Sequence, residues 1–225
     1  MSAADPHAGQ PVRRAGAPLG QGGAAVLLVH GRGATAESIL ALADALGRPD
    51  LTYLAPQAAG WTWYPHAFLA PLTANEPWLS SALRAVERVA GEATGGGVPR
   101  ERVVLAGFSQ GACLALEFAA RHAGRWGGVV GLSGGLLGSA DGAGPPPYDK
   151  RFDYDGTFAG TPVFLGCDAR DAHIPLARVR ETAAVFERLG TAVDARIYPD
   201  LGHAVNDDEL AAFRALLDAL APAAG

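Results

Sequence analysis

Four positions carry side chains that could do acyl-transfer chemistry together: the hydroxyl of Ser109, the carboxylates of Asp168 and Asp171, and the imidazole of His203. A serine hydroxyl is a poor nucleophile by itself. With an imidazole in hydrogen-bond reach to take its proton, and a carboxylate to fix that imidazole's tautomer, it can attack a carbonyl carbon and hold the acyl group as an ester. Each residue follows a segment that reads as a strand: Arg102 to Ala106 before the serine, Thr161 to Gly166 before the acids, Ala192 to Tyr198 before the histidine.

The segment Gly107-Phe108-Ser109-Gln110-Gly111 lies between a buried strand and an apolar-faced helix, the layout of a nucleophile elbow. At such a turn the serine leaves regular backbone geometry, and Gly107 and Gly111 leave room where a Cβ would collide. The helix behind it aims unpaired N–H groups at the reacting centre, where they can stabilise a developing oxyanion. A second match to the pattern, Gly131-Leu132-Ser133-Gly134-Gly135, leads into a Gly/Pro-rich stretch ending in Pro145-Pro146-Pro147, where no helix can start. Ser133 is therefore read as a polar residue at a strand end, and Ser109 as the nucleophile.

In an α/β-hydrolase the acid and then the histidine follow the nucleophile along the chain, and Ser109, Asp171 and His203 keep that order. His203 sits behind Gly202 ahead of a helix start at Asn206, where its ring can swing over the sheet edge as general base. His173 comes too early for that role, and His30, in His30-Gly31-Arg32-Gly33, reads as structural. Either Asp168 or Asp171 could reach an imidazole. Asp171 is favoured because Pro175 closes its loop into a defined turn, which leaves Asp168 to satisfy loop N–H groups. Asp168, Asp171 and His173 could instead hold a metal, a reading ranked below the serine-centred one. The oxyanion hole is expected from the backbone N–H groups of Gln110 and Arg32. The Arg32 side chain is expected in solvent, with bidentate capture of a substrate carboxylate as the alternative.

Elements that would position these groups alternate along the chain. Strands are predicted at Ala24 to Val29, Leu51 to Leu54, Arg102 to Ala106, Gly128 to Leu132, Thr161 to Gly166 and Ala192 to Tyr198. Helices are predicted at Glu37 to Leu46, Trp78 to Ala90, Ala112 to His122, Arg178 to Leu189 and Asp207 to Leu220. Continuous Val/Leu-rich strands alternating with helices imply an α/β fold, a mostly parallel sheet covered on both faces, with ligands at the strands' carboxyl ends. Residues 1–23, rich in Ala, Gly and Pro, are expected to be a flexible lead-in that function does not need, and 24–225 a single domain. Two segments break the alternation, Ala55 to Asn75 and Gly134 to Gly160, and long irregular loops are often functional. The first concentrates Trp61, Trp63, Tyr64, His66 and Phe68, which are expected to line an apolar substrate site, with plain packing of the loop as the alternative.

A composition of 49% hydrophobic and 18% charged residues suits a compact enzyme, and a net charge of -5 without a clustered basic face argues against nucleic acid as a partner. The first residues lack a secretory core and no stretch is apolar for long enough to span a bilayer, so a cytoplasmic protein without stable membrane insertion is expected. Cys113 and Cys167 imply no disulfide framework. A homodimer is compatible with the sequence, but no surface for one can be chosen from it.

Taken together, Leu28-Val29-His30-Gly31-Arg32-Gly33, Ala55-Pro56-Gln57, Gly107-Phe108-Ser109-Gln110-Gly111-Ala112, Asp171-Ala172-His173-Ile174-Pro175 and Gly202-His203 resemble the phospholipase/carboxylesterase family, which includes acyl-protein thioesterases. The resemblance implies an α/β-hydrolase fold without a large cap domain, no metal or organic cofactor, and hydrolysis of small-molecule esters or thioesters. It implies Ser109, Asp171 and His203 as the triad and Arg32 and Gln110 as oxyanion donors. Two departures stand out: Arg32 occupies a position usually held by Leu, and the acid loop is about a residue longer. A carboxylesterase acting through an acyl-enzyme on small to medium esters is the expected function. Thioesterase or lysophospholipase-like activity, lactone opening, perhydrolysis and C–C cleavage are the alternatives, with a non-catalytic ligand-binding protein behind them.

Overall fold

Strands β2 (Ala25–Val29), β3 (Thr52–Pro56), β4 (Val103–Phe108) and β5 (Gly128–Leu132) are short apolar runs whose residues are almost all buried. Such strands need cover on both faces, and helices supply it. In this computed structural model, which describes residues 5–144 and 149–220, they join β1 (Val12–Gly16), β8 (Val163–Asp168) and β9 (Val193–Tyr198) in one seven-stranded sheet of order β1-β3-β2-β4-β5-β8-β9. All neighbours are parallel except β1, which runs antiparallel to β3. A two-stranded ribbon, β6 (Ala140–Asp141) and β7 (Lys150–Arg151), lies apart from the sheet.

Alternation along the strands splits the core. Leu27, Leu54, Leu105 and Leu165 face α3 (Trp78–Gly95), α4 (Gln110–Arg121) and α5 (Leu176–Arg188). Val26, Leu28, Val104 and Phe164 face α1 (Ala36–Ile39), α2 (Ala41–Leu46) and α6 (Asp207–Asp218). The chain leaves β2 for β3 on one side and returns to β4 on the other, so a crevice opens at the carboxyl ends of β2 and β4. The mostly parallel sheet, helices on both faces and lack of a large inserted cap agree with the expected α/β-hydrolase architecture.

The lead-in is not loose. Residues 12–16 pair with β3 in full register, from Val12 opposite Pro56 to Gly16 opposite Thr52. Ahead of them His7 is buried: its backbone N–H donates to Ser81 Oγ (2.9 Å), its Nε2–H donates to the Trp63 carbonyl (2.9 Å), and its Nδ1 accepts the N–H of Ala59 (3.1 Å). The expectation of a flexible segment is corrected for residues 5–23; residues 1–4 lie outside the described part. The single helix expected from Glu37 to Leu46 is two, because Leu40 ends α1 before α2 begins.

The two irregular segments brace one another. Asp141 accepts the N–H of Leu72 (2.9 Å) and pairs with Lys150, whose ammonium also donates to the Ala70 carbonyl (2.6 Å). Glu117, fully buried on α4, accepts the N–H groups of Leu137 (3.0 Å) and Gly138 (3.1 Å) and the hydroxyl of Tyr154 (2.8 Å).

Candidate active site

Ser109 stands between β4 and α4 with φ 57° and ψ -123°, a conformation no regular element uses and a strained one for a residue with a Cβ. Two close approaches enforce it. A Cβ on Gly107 would sit 2.4 Å from the Gly111 carbonyl oxygen, and one on Gly111 would sit 2.1 Å from that of Val29. The turn is thereby pressed against the end of β2, and Ser109 is partly exposed above the sheet. Ser133 differs: it is fully buried, its hydroxyl has no partner among the described residues, and it lies outside the crevice.

His203, from the loop after β9, brings Nε2 to 2.8 Å from Ser109 Oγ and Nδ1 to 2.7 Å from Asp171 Oδ2. A carboxylate only accepts, so Nδ1 carries the hydrogen and Nε2 is left to accept from the serine hydroxyl. Burial would raise the Asp171 carboxyl. The bonds from His203 and from the N–H groups of His173 and Ile174 outweigh that and hold it below the ordinary carboxylate value. Asp171 is therefore ionised at neutral pH.

Asp168 has other work. Its Oδ1 accepts the Arg170 N–H (2.6 Å), and its Oδ2 accepts the N–H groups of Leu201 and of Gly202 (3.0 Å), immediately before His203. These bonds, with that of Arg170 foremost and that of Gly202 next, keep its carboxyl below the usual range. Asp168 thus staples the acid loop to the histidine loop. With both carboxylates committed in this way, Asp168, Asp171 and His173 do not form a ligand set, and no other metal-ligand cluster occurs among the described residues.

Gly31 packs on the elbow, where a Cβ would lie 3.3 Å from Ser109 Cβ, so the backbone of residues 31–33 borders the serine. The N–H groups of Arg32 and Gln110 have no protein acceptor among the described residues, as a pair of oxyanion donors requires. Their side chains turn the other way. Arg32 donates to the carbonyls of Tyr64 (2.9 Å), Pro65 (2.9 Å) and His66 (2.7 Å). Gln110 donates Nε2–H to Tyr64 O (2.8 Å) and accepts the Trp63 N–H at Oε1 (2.9 Å). The guanidinium is exposed, as expected, and also clamps the aromatic loop, a role not read from the sequence.

A crevice of about 400 Å³ opens beside Ser109, walled by Tyr64, Pro65, Ala67 and Phe68 on the loop after β3, and by Cys113, His173 and Ile174. Of the five aromatic-loop residues expected there, Tyr64 and Phe68 line it; Trp61, Trp63 and His66 do not. Trp63 is fully buried because its indole N–H donates to the His30 carbonyl (2.8 Å), while Trp61 (58% exposed) and His66 point to solvent. His30 is structural, as expected: buried, with Nδ1–H donating to Gly31 O (2.8 Å) and Nε2 accepting the Ala58 N–H (3.1 Å). Cys113, Ile174 and His173 were not foreseen as wall residues. Cys113 lies one helical turn beyond Ser109, a spacing that points two side chains the same way. Ile174 and His173 sit in the acid loop already singled out.

Fold and site together define a serine hydrolase of the α/β-hydrolase class. Within that class the chain belongs to the phospholipase/carboxylesterase family, which matches residues 17–221. It is similar to acyl-protein thioesterase 1 of Eremothecium gossypii, 28% identical over 227 residues that span 88% of this chain and 90% of that protein. The same-named protein of Gibberella zeae is 32% identical over 124 residues, 54% of this chain and about half (49%) of that relative's length. A phospholipase/carboxylesterase crystal structure from Dyadobacter fermentans has a TM-score of 0.84 at 36% identity, covering 92% of this chain and 96% of that one. Among the described residues no helix is long and apolar enough to cross a membrane.

Proposed function

We propose that this chain hydrolyses carboxylic esters of small to medium size, with Ser109 as nucleophile, His203 as general base and acid, and Asp171 as the carboxylate that orients the imidazole and stabilises the imidazolium. Ser109 Oγ attacks the ester carbon as Nε2 of His203 takes its proton. The N–H groups of Arg32 and Gln110 receive the oxyanion, and the tetrahedral adduct collapses as the imidazolium protonates the departing alcohol. Water then attacks the acyl-serine under the same base. The observation that carries this reading is the continuous relay from Ser109 through His203 to Asp171, at 2.8 and 2.7 Å.

The modest size of the crevice and the apolar side chains of Phe68 and Ile174 on its lining support short to medium acyl groups. A second reading, thioester hydrolysis, draws support from the similarity to proteins named acyl-protein thioesterase 1. It needs no other residue, because the adduct is the same. Ser109→Ala is expected to abolish turnover of p-nitrophenyl acetate and butyrate, and of the matching thioesters, while far-ultraviolet circular dichroism stays unchanged. Undiminished hydrolysis by the folded variant would overturn the assignment.

A further inference from the structure

One hydrogen-bonding side chain in the crevice has no task in the acyl transfer described above. Outside Ser109 and His203, the polar groups on its walls are Arg32, Tyr64, Gln110, Cys113 and His173. Arg32 and Gln110 are committed to main-chain groups of the aromatic loop. The Tyr64 hydroxyl is buried, and so is the Cys113 thiol, which accepts the Gly135 N–H. His173 alone is exposed with neither ring nitrogen bonded among the described residues.

Its position fixes which part of a substrate it meets. The His173 ring stands edge-on to that of His203, with centroids 4.7 Å apart, held there by the bond from the His173 backbone N–H to Asp171 Oδ1 (2.8 Å). Because Nε2 of His203 must deliver its proton to the leaving oxygen, the alcohol portion of the ester lies against that imidazole. An atom two or three bonds beyond the leaving oxygen is then within reach of His173. Tyr64, Ala67 and Phe68 also line the crevice, and the Tyr64 hydroxyl there is buried.

We propose that His173 is a specificity residue for the leaving group, and that the favoured substrates are esters whose alcohol carries a neutral hydroxyl close to the ester oxygen, as in monoesters of a diol or polyol. This rests on the relay assigned above, since the leaving group is located through His203. A neutral imidazole can donate to that hydroxyl or accept from it, and a simple alkyl alcohol leaves it unpaired.

The test compares ethyl butyrate with 2-hydroxyethyl butyrate in the wild type, His173→Phe and His173→Gln. Dividing the ratio of their kcat/KM values in one protein by that in another cancels the intrinsic reactivity of the two esters. Phe keeps an edge-on ring against His203 and removes both nitrogens; Gln keeps a donor and an acceptor. The preference for the hydroxyethyl ester is expected to fall about five- to tenfold in His173→Phe and to persist in His173→Gln, as expected from one net hydrogen bond. An unchanged ratio in His173→Phe would overturn the proposal, as would equal loss of both esters in both variants, which would make the ring a packing support for His203. Ser109→Ala, assayed alongside, reports separately on the relay: hydrolysis persisting there would refute the assigned nucleophile, an outcome distinct from any change in the ratio.

Discussion

Arg32 and Gln110 grip the same atom: the guanidinium of one and the carboxamide of the other both donate to the carbonyl oxygen of Tyr64, at 2.9 and 2.8 Å. These are also the residues whose backbone N–H groups would receive the oxyanion. The crevice wall and the proposed oxyanion donors are therefore one mechanical unit, and a shift of the aromatic loop would carry those N–H groups with it.

Arg32→Leu removes the donors to Tyr64, Pro65 and His66. Part of this network is exposed, so the net effect is small for so many bonds: a fall in kcat/KM of about tenfold, close to 1.4 kcal/mol, is expected. Neutral and acidic esters should lose equally, because the guanidinium serves the loop. A loss confined to acidic esters, measured on matched methyl and carboxymethyl substrates, would return Arg32 to the role of carboxylate receptor.

Asp171→Asn and Asp168→Asn separate the two carboxylates. Asn at 171 can offer an N–H where His203 Nδ1 needs an acceptor, and it removes the charge that stabilises the imidazolium; kcat is expected to fall about 10³- to 10⁴-fold. Asn at 168 keeps one acceptor oxygen for the histidine loop but loses the other, so a fall of about tenfold is expected, recovered in part at lower temperature as the loop reorders. Steady-state kinetics on p-nitrophenyl butyrate decides it, and equal losses would mean that Asp168 shares the imidazole.

Ser109 and Asp171 were legible in the sequence because each follows a buried strand, and hydrophobic runs such as Val103–Ala106 mark buried strands directly; His203 follows the partly exposed strand β9 and was placed by chain order. Strand β1 was not legible. Its Val-Arg-Arg-Ala-Gly has two exposed arginines, since it is an edge strand that pairs with β3 through its backbone, and backbone pairing leaves no mark on residue type. The Arg32 clamp was hidden for the same reason: its acceptors are three main-chain carbonyls more than thirty residues away. Trp63 and Phe68 belong to one aromatic cluster in the sequence, yet one packs on His30 and the other faces the crevice. Composition cannot tell these apart.

His7 gives the N-terminal segment a measurable role, since its ring ties the Ala59 N–H to the Trp63 carbonyl beneath the aromatic loop. His7→Ala is expected to cost about 2 to 4 kcal/mol in urea unfolding, from a lost buried ring and orphaned backbone groups. Burial depresses the His7 imidazole below its ordinary value of 6.5, and burial does the same to His30. The unfolded chain therefore binds more protons, and stability from these groups is complete above about 6.5 and drains away as pH falls through their folded values. The slope of stability against pH in that acid window should flatten in His7→Ala; an unaltered slope and unaltered stability would leave the segment without a structural task.

Glu209 works in the opposite sense. It is fully buried at the start of α6, with Oε2 accepting the Asn206 N–H (2.9 Å) and Oε1 unpaired among the described residues, above Gly166, where a Cβ would lie 2.0 Å from it. Burial pushes its carboxyl up from the ordinary 4.5 to about 7, against the opposing pull of the Asn206 bond. A raised carboxyl favours the protonated folded form, so its stabilisation is complete below 4.5 and is lost as pH rises through about 7. Glu209→Gln retains the acceptor for Asn206 and cannot ionise. Relative to the wild type it should gain about 2.5 kcal/mol of unfolding free energy between roughly pH 5 and roughly pH 8, as follows from about two units of titration. Urea titrations of both proteins at the two pH values measure this directly, and a difference between the proteins that does not change with pH would mean Glu209 ionises in the folded chain as freely as in the unfolded one.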